Sequence, residues 1–254
     1  MKNRKGQIAM FVIIAVLLIA TIGFFFLIRR GDAPVIQTER EFDPKSFLGN
    51  CIRDVLRDKA DMLIASGGVL EPADFFLHDG QHAAYLCKNI NFYEACINQY
   101  PRLIEHMRIE LKDGTRAHIE QCLKIFKSEL TARQYEVSIS PLDSFDIVLK
   151  PNSIEALLVV DVRLSKNEVS QTFSEFSTGL ISPLYELAII ASEIVRQEAE
   201  FCYFEYAGFS ILYPRFEVSV ETKSDSTKIY TLKDNDSGES MAFAIRGCAL
   251  PQGI

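Results

Sequence analysis

Four histidines are all the imidazole this 254-residue chain possesses: His78, His82, His106 and His118. The stretch FFLHDGQH sets two of them four residues apart with Asp79 between. On a helix that spacing puts both rings on one face and suits a metal ion. Gly80 interrupts such a helix, however, and no glutamate follows His78 where a zinc protease needs its base. The pair therefore reads as part of a solvated turn, and no metal site is expected. His118 precedes Cys122 by four residues, but a disulfide is the simpler role for that cysteine. No C-x-x-C pair, G-x-S-x-G elbow, Walker loop or G-x-G-x-x-G occurs, so the expectation is no enzyme and no cofactor. Carboxylates are plentiful, and a dyad assembled only in three dimensions would leave no linear motif. The aromatic cluster Phe201, Tyr203, Phe204, Tyr206 and Phe209 reads as core at the end of a helix, with a sugar-binding platform as the sharper alternative.

The six cysteines are Cys51, Cys87, Cys96, Cys122, Cys202 and Cys248, an even number that suits an oxidising compartment. Six allow 15 connectivities. Their segments narrow these to Cys87–Cys96 within one polar loop, Cys51–Cys122 between two helices, and Cys202–Cys248 between a helix end and the last strand. Asn235-Asp236-Ser237 is a glycosylation sequon in the turn-like KDNDSGES.

The elements that must position these residues are α+β in class. Asp43 reads as an N-cap with Pro44 in the first helical turn, and Gly67-Gly68 as the stop. Glu71 to Gln99 reads as mostly loop and turn. Pro101 opens a helix broken at Asp113-Gly114, and another runs from Thr115 to about Leu130. Residues 46–130 are thus expected to form a helical subdomain. From 131 to 254 the pattern changes to YEVSIS, FDIVLK, IEALLVVDVRL, EVSQTFSEF, FEVSVE, KIYTLK and MAFAIRG, short runs rich in β-branched residues. Between them Ser182-Pro183 starts a helix with Leu184, Leu187, Ala188, Ala191, Ile194 and Val195 in one stripe. An antiparallel sheet covered by that helix is the expectation.

Residues 8–28, IAMFVIIAVLLIATIGFFFLI, carry no charge. At about 1.5 Å per residue the run reaches roughly 31 Å, the thickness of a hydrocarbon core, so residues 7–29 are expected to span a lipid bilayer. Lys2, Arg4 and Lys5 precede the run against Arg29 and Arg30 after it, which favours a cytoplasmic N-terminus and an extracellular C-terminal domain. Residues 30–45 form a polar stalk. All five basic residues of positions 1–30 lie in this anchor region, leaving 22 basic against 34 acidic beyond it. So acidic a domain repels phosphate backbones, and nucleic acid is excluded as a partner.

Arg4-Lys5-Gly6-Gln7, followed directly by the apolar run, resembles archaeal type IV pilin-like precursors with a class III signal peptide. The resemblance implies a leader of residues 1–6, cut between Gly6 and Gln7, with the helix retained. Phe11 stands where many pilins carry a glutamate that neutralises a neighbour's amino terminus, and Ala9 where the archaeal form often has serine. The likeness therefore extends to processing and anchoring rather than to polymerisation. KGQIAMFVII and FLGNCIRDVLRDKADMLIASGG also resemble a group of uncharacterised membrane-anchored proteins of small-genome archaea.

Together these readings describe a single-pass, surface-displayed structural or interaction protein in the cell membrane. Its partners are the bilayer and other proteins, or a second copy through the transmembrane helix. The alternatives are a membrane-tethered extracellular hydrolase and an accessory subunit of a membrane complex.

Overall fold

A computed structural model describes residues 16–22 and 42–249. Residues 16–22 are helical and exposed. The Gly6–Gln7 cleavage site, the rest of the expected span and the stalk up to residue 41 lie outside the described residues. Among the described residues no helix is long and apolar enough to cross a membrane.

Helix α1 (Pro44–Ala65) begins as its sequence dictates: the Asp43 side chain accepts a hydrogen bond from Lys45 N at 3.0 Å, and Pro44 takes the first helical position. It stops before Gly67 and Gly68, whose φ of 74° and 89° lie in the left-handed region. A Cβ on Gly67 would sit 2.6 Å from the Ala242 carbonyl oxygen, so this turn must be bare to pack against the sheet. Helix α2 (Leu103–Ala132) runs unbroken for 30 residues, which corrects the expected break at Asp113-Gly114. One interior glycine costs a helix only about 1 kcal/mol. The buried stripe of α2, which runs on both sides of Gly114 from Leu103 to Leu130, outweighs that cost.

Glu71–Gln99 is about half loop and turn, the rest strand. It folds as β1 (Phe75–His78), β2 (Gln81–Lys88) and the short β3 (Ile97–Asn98). Asp79 and Gly80, both at positive φ, make the two-residue turn of the β1–β2 hairpin. Asp-Gly between strands is the strongest short hairpin signal, and it stood in the sequence. The remaining strands are β4 (Glu136–Ile139), β5 (Ser144–Lys150), β6 (Ser153–Lys166), β7 (Val169–Ile181), β8 (Phe216–Thr222), β9 (Lys228–Asp234) and β10 (Ser240–Arg246).

They form two sheets. One runs β1-β2-β10-β9-β8, with β3 beside β2; in the other, β5 and β4 pair with successive stretches of β6 and β7 pairs along nearly all of it. β2 and β10 are parallel, so the first sheet is mixed rather than antiparallel. This pairing also corrects the division at residue 130. Strands from both halves share one sheet, and Asp43–Ile254 is one compact unit. Helices α1 and α2 pack on each other and on the second sheet; α1 also meets β10 of the first, and helix α3 (Leu184–Phe201) touches both sheets. The expected stripe of α3, from Leu184 to Val195, is buried throughout.

Candidate functional site

The hairpin register separates the two nearby histidines. His82 lies opposite Leu77 and His78 opposite Gln81, so successive side chains place the rings on different faces. His82 stacks on Phe75 with centroids 3.8 Å apart, and His78 Nε2 sits 3.6 Å from Asp79 Oδ2. His106 Nε2 is 3.3 Å from Glu110 Oε1, and His118 is exposed on α2. No group of three or more His, Cys, Asp or Glu side chains suited to a metal occurs among the described residues.

All six cysteines are paired: Cys51–Cys122, Cys87–Cys96 and Cys202–Cys248, with Cα atoms 6.0, 5.3 and 6.0 Å apart. These are the pairings the segments led us to expect. Asn235 is exposed at the β9–β10 turn, its backbone N–H donating to Arg215 O at 2.9 Å. The aromatic cluster departs from expectation. Phe204 alone among the five is buried, and Phe201, Tyr203 and Tyr206 stand exposed.

Their exposure arises from how α3 ends. Cys202 adopts a left-handed φ of 55°, the chain turns back, and a second short helix α4 (Tyr206–Leu212) begins. Glu205 caps it by accepting a hydrogen bond from Gly208 N at 3.2 Å. Disulfide Cys202–Cys248 ties this turn to the segment after β10. Helix α4 buries no residue: Ile211 and Leu212 are 81% and 75% exposed. Between α4 and the outer face of α3 lies an open groove of about 630 Å³. Its floor is the buried Ile190, Phe204 and Phe216.

Three glutamates and no lysine, arginine or histidine line it. Glu193 is held below the usual carboxylate range, chiefly by its hydrogen bonds from Arg196, and Glu205 chiefly by the Tyr203 hydroxyl, which donates at 2.7 Å. Glu186 Oε1 accepts from Asn152 N at 2.7 Å, while its buried Oε2 accepts no hydrogen bond. The site is thus an apolar trough with anionic edges. No family model, curated protein or solved structure matches this chain. The geometry must carry the functional argument by itself.

Two buried ionic clusters hold the trough in place. Arg215, whose guanidinium lies 4.9 Å over the Phe216 ring, donates to both oxygens of Asp234 at 2.8 and 3.0 Å and to Asn152 Oδ1 at 2.7 Å. Deeper in, Lys228 Nζ donates to both oxygens of Glu198 at 2.8 Å and to Cys202 O at 2.7 Å; the Tyr230 hydroxyl donates to the same carboxylate. Burial, then the neighbouring carboxylate, pushes the Tyr230 phenol well above its ordinary range, so it stays a donor. The sequence itself singles out Glu198. It falls four residues after Ile194 and seven after Ala191, on the apolar stripe itself, where an acid must find a buried partner.

Asp234 supports an acid-stability prediction. The Arg215 hydrogen bonds hold its carboxyl below the usual range, so its contribution is complete above the unfolded pKa and is lost as pH falls through the folded one. Wild type should lose stability below about pH 4, and Asp234→Asn should flatten that loss in urea titrations at stepped pH. Glu239 acts in the opposite sense. Burial raises its pKa, so its share is lost as pH rises through the raised value. A steeper acid loss in Asp234→Asn than in wild type would refute the assignment.

Proposed function

We propose that this chain is a membrane-anchored, surface-displayed interaction protein, held by a pilin-like N-terminal helix and presenting an acidic, disulfide-stapled domain outside the cell. The observation that carries the reading is the open apolar face of α3 and α4. Contiguous exposed apolar surface rimmed by polar groups marks an interaction site, and Ile189, Ile211, Leu212 and Tyr213 supply it here. Three disulfides support an oxidising compartment, and the uncharged residues 8–28 support an anchor.

Processing and extraction test the anchor. In its native membrane the mature chain should begin at Gln7, read by N-terminal mass analysis, and should resist alkaline carbonate. Intact Met1 with the leader peptidase present would remove the pilin-like leader. Release by carbonate would remove the membrane anchor altogether.

A further inference from the structure

We infer that Asn235 is an N-glycosylation site: its side-chain nitrogen carries a sugar chain transferred from a lipid-linked phosphosugar donor. This deepens the reading of a domain displayed outside the cell and rests on it.

The acceptor sequence is unique in the chain. Asn235-Asp236-Ser237 meets the Asn-x-Ser/Thr rule with no proline between, and no other asparagine has serine or threonine two residues on. A three-residue pattern arises easily by chance; its place in the fold is what makes this one an acceptor. Asp234 is buried at the end of β9, and the chain then runs exposed from Asn235 to Gly238 before β10 begins. Acceptor, middle residue and hydroxyl therefore share one exposed hairpin tip. At Gly238, φ 78°, a Cβ would meet nothing within 4 Å beyond its chain neighbours, so the tip stands in open space. A bulky, hydrated modification suits such a surface turn. The three disulfides suit the oxidising side of a membrane, where sugar transfer to asparagine takes place.

The turn also has a donor to spare. Gly238 N donates to Asp234 O at 2.8 Å, Asn235 N to Arg215 O at 2.9 Å, and Arg215 holds both oxygens of Asp234. These bonds fix the backbone without the Asn235 side chain. That side chain donates once, from Nδ2 to Pro214 O at 3.3 Å, and its amide has two hydrogens. Transfer breaks one Nδ2–H bond and the bond from the sugar's anomeric carbon to the donor's phosphate oxygen. It forms the bond from Nδ2 to that carbon, and the lipid phosphate leaves with the proton. Nothing is oxidised or reduced. The second N–H remains for Pro214 O, so the fold accommodates the glycan as it stands. Ser237, whose Oγ accepts from Glu239 N at 3.2 Å, supplies the hydroxyl that completes the acceptor.

The test uses the full chain taken from its native membrane. Trypsin releases residues 234–246, bounded by Lys233 and Arg246 and free of cysteine. Tandem mass spectra should place one or more sugar units on Asn235 in most copies of that peptide. Asn235→Gln and Ser237→Ala should each abolish the added mass, and Ser237→Thr should retain it. The substituted positions are exposed, so the domain survives all three changes.

An unmodified Asn235 in the wild-type chain overturns the proposal, and so does an added mass that survives Asn235→Gln. An added mass indifferent to Ser237→Ala overturns it too, because the sequon is then not what is read. Display is judged separately, by protease added to intact cells. An unmodified chain that external protease cleaves sinks the glycan alone; an unmodified chain shielded from it sinks the display reading as well.

Discussion

Lys228→Met is expected to destabilise the folded domain by about 3–5 kcal/mol, because it strands a buried carboxylate. The Glu198 side chain is wholly inaccessible and Lys228 is 22% exposed, so little solvent reaches the pair. Lys228 also donates to Cys202 O at the end of α3, where a cation interacts well with the helix dipole. With the ammonium gone, the Tyr230 hydroxyl is the one donor left of those that reach Glu198. The loss should appear as a shifted urea midpoint with an unchanged slope. Replacing the whole cluster, Glu198→Leu with Lys228→Met and Tyr230→Phe, should recover most of the loss, since apolar groups of similar volume need no partners. A triple variant no more stable than Lys228→Met would show that the damage came from packing rather than from the stranded charge.

The second large effect belongs to the disulfides. Cys51–Cys122 spans 71 residues of sequence and joins α1 to α2, whereas Cys87–Cys96 spans nine within the β2–β3 region. In the chain-entropy model the longer closure contributes about 4.4 kcal/mol and the shorter about 2.7 kcal/mol. Cys51→Ala with Cys122→Ala should therefore lower the urea midpoint more than Cys87→Ala with Cys96→Ala, measured on otherwise oxidised protein. Cys122, Cys87 and Cys96 are buried and Cys51 is half-buried, so vacated volume adds to the cost of both double variants. The reverse ranking would mean that local strain or residual structure in the unfolded chain, not loop closure, sets the contribution.

Much of the architecture could be read from local chemistry. Asp43 and Pro44 start α1 and the glycine pair stops it, because caps and left-handed turns depend on a few adjacent residues. The β5 and β6 runs appear where their β-branched residues put them, and β6 shows buried and exposed residues in strict turn along most of its length. The stripe of α3 and the cysteine pairings followed from the same period-3.6 and segment logic. Local signals fail where tertiary contacts outweigh them. Gly114 looked like a helix break and lies inside the continuous α2, and the Asp79-Gly80 hairpin was obscured by the polar residues around it.

What the residues alone determined is which positions are apolar, where elements begin and end, which cysteines are near enough in type of segment to meet, and that the domain is acidic. Which surfaces cover one another was decided only in three dimensions. The parallel pairing of β2 with β10 joins segments about 160 residues apart, and no periodicity specifies a partner at that distance. The groove is the clearest case. Phe204 and Tyr206 have the same aromatic character and stand two residues apart, yet one is buried and the other exposed. The left-handed turn at Cys202 and its bond to Cys248 aim the chain away from the core, so α4 keeps its apolar side outward. Hydrophobic pattern states what a residue would gain by burial; only the folded packing determines whether anything is there to bury it.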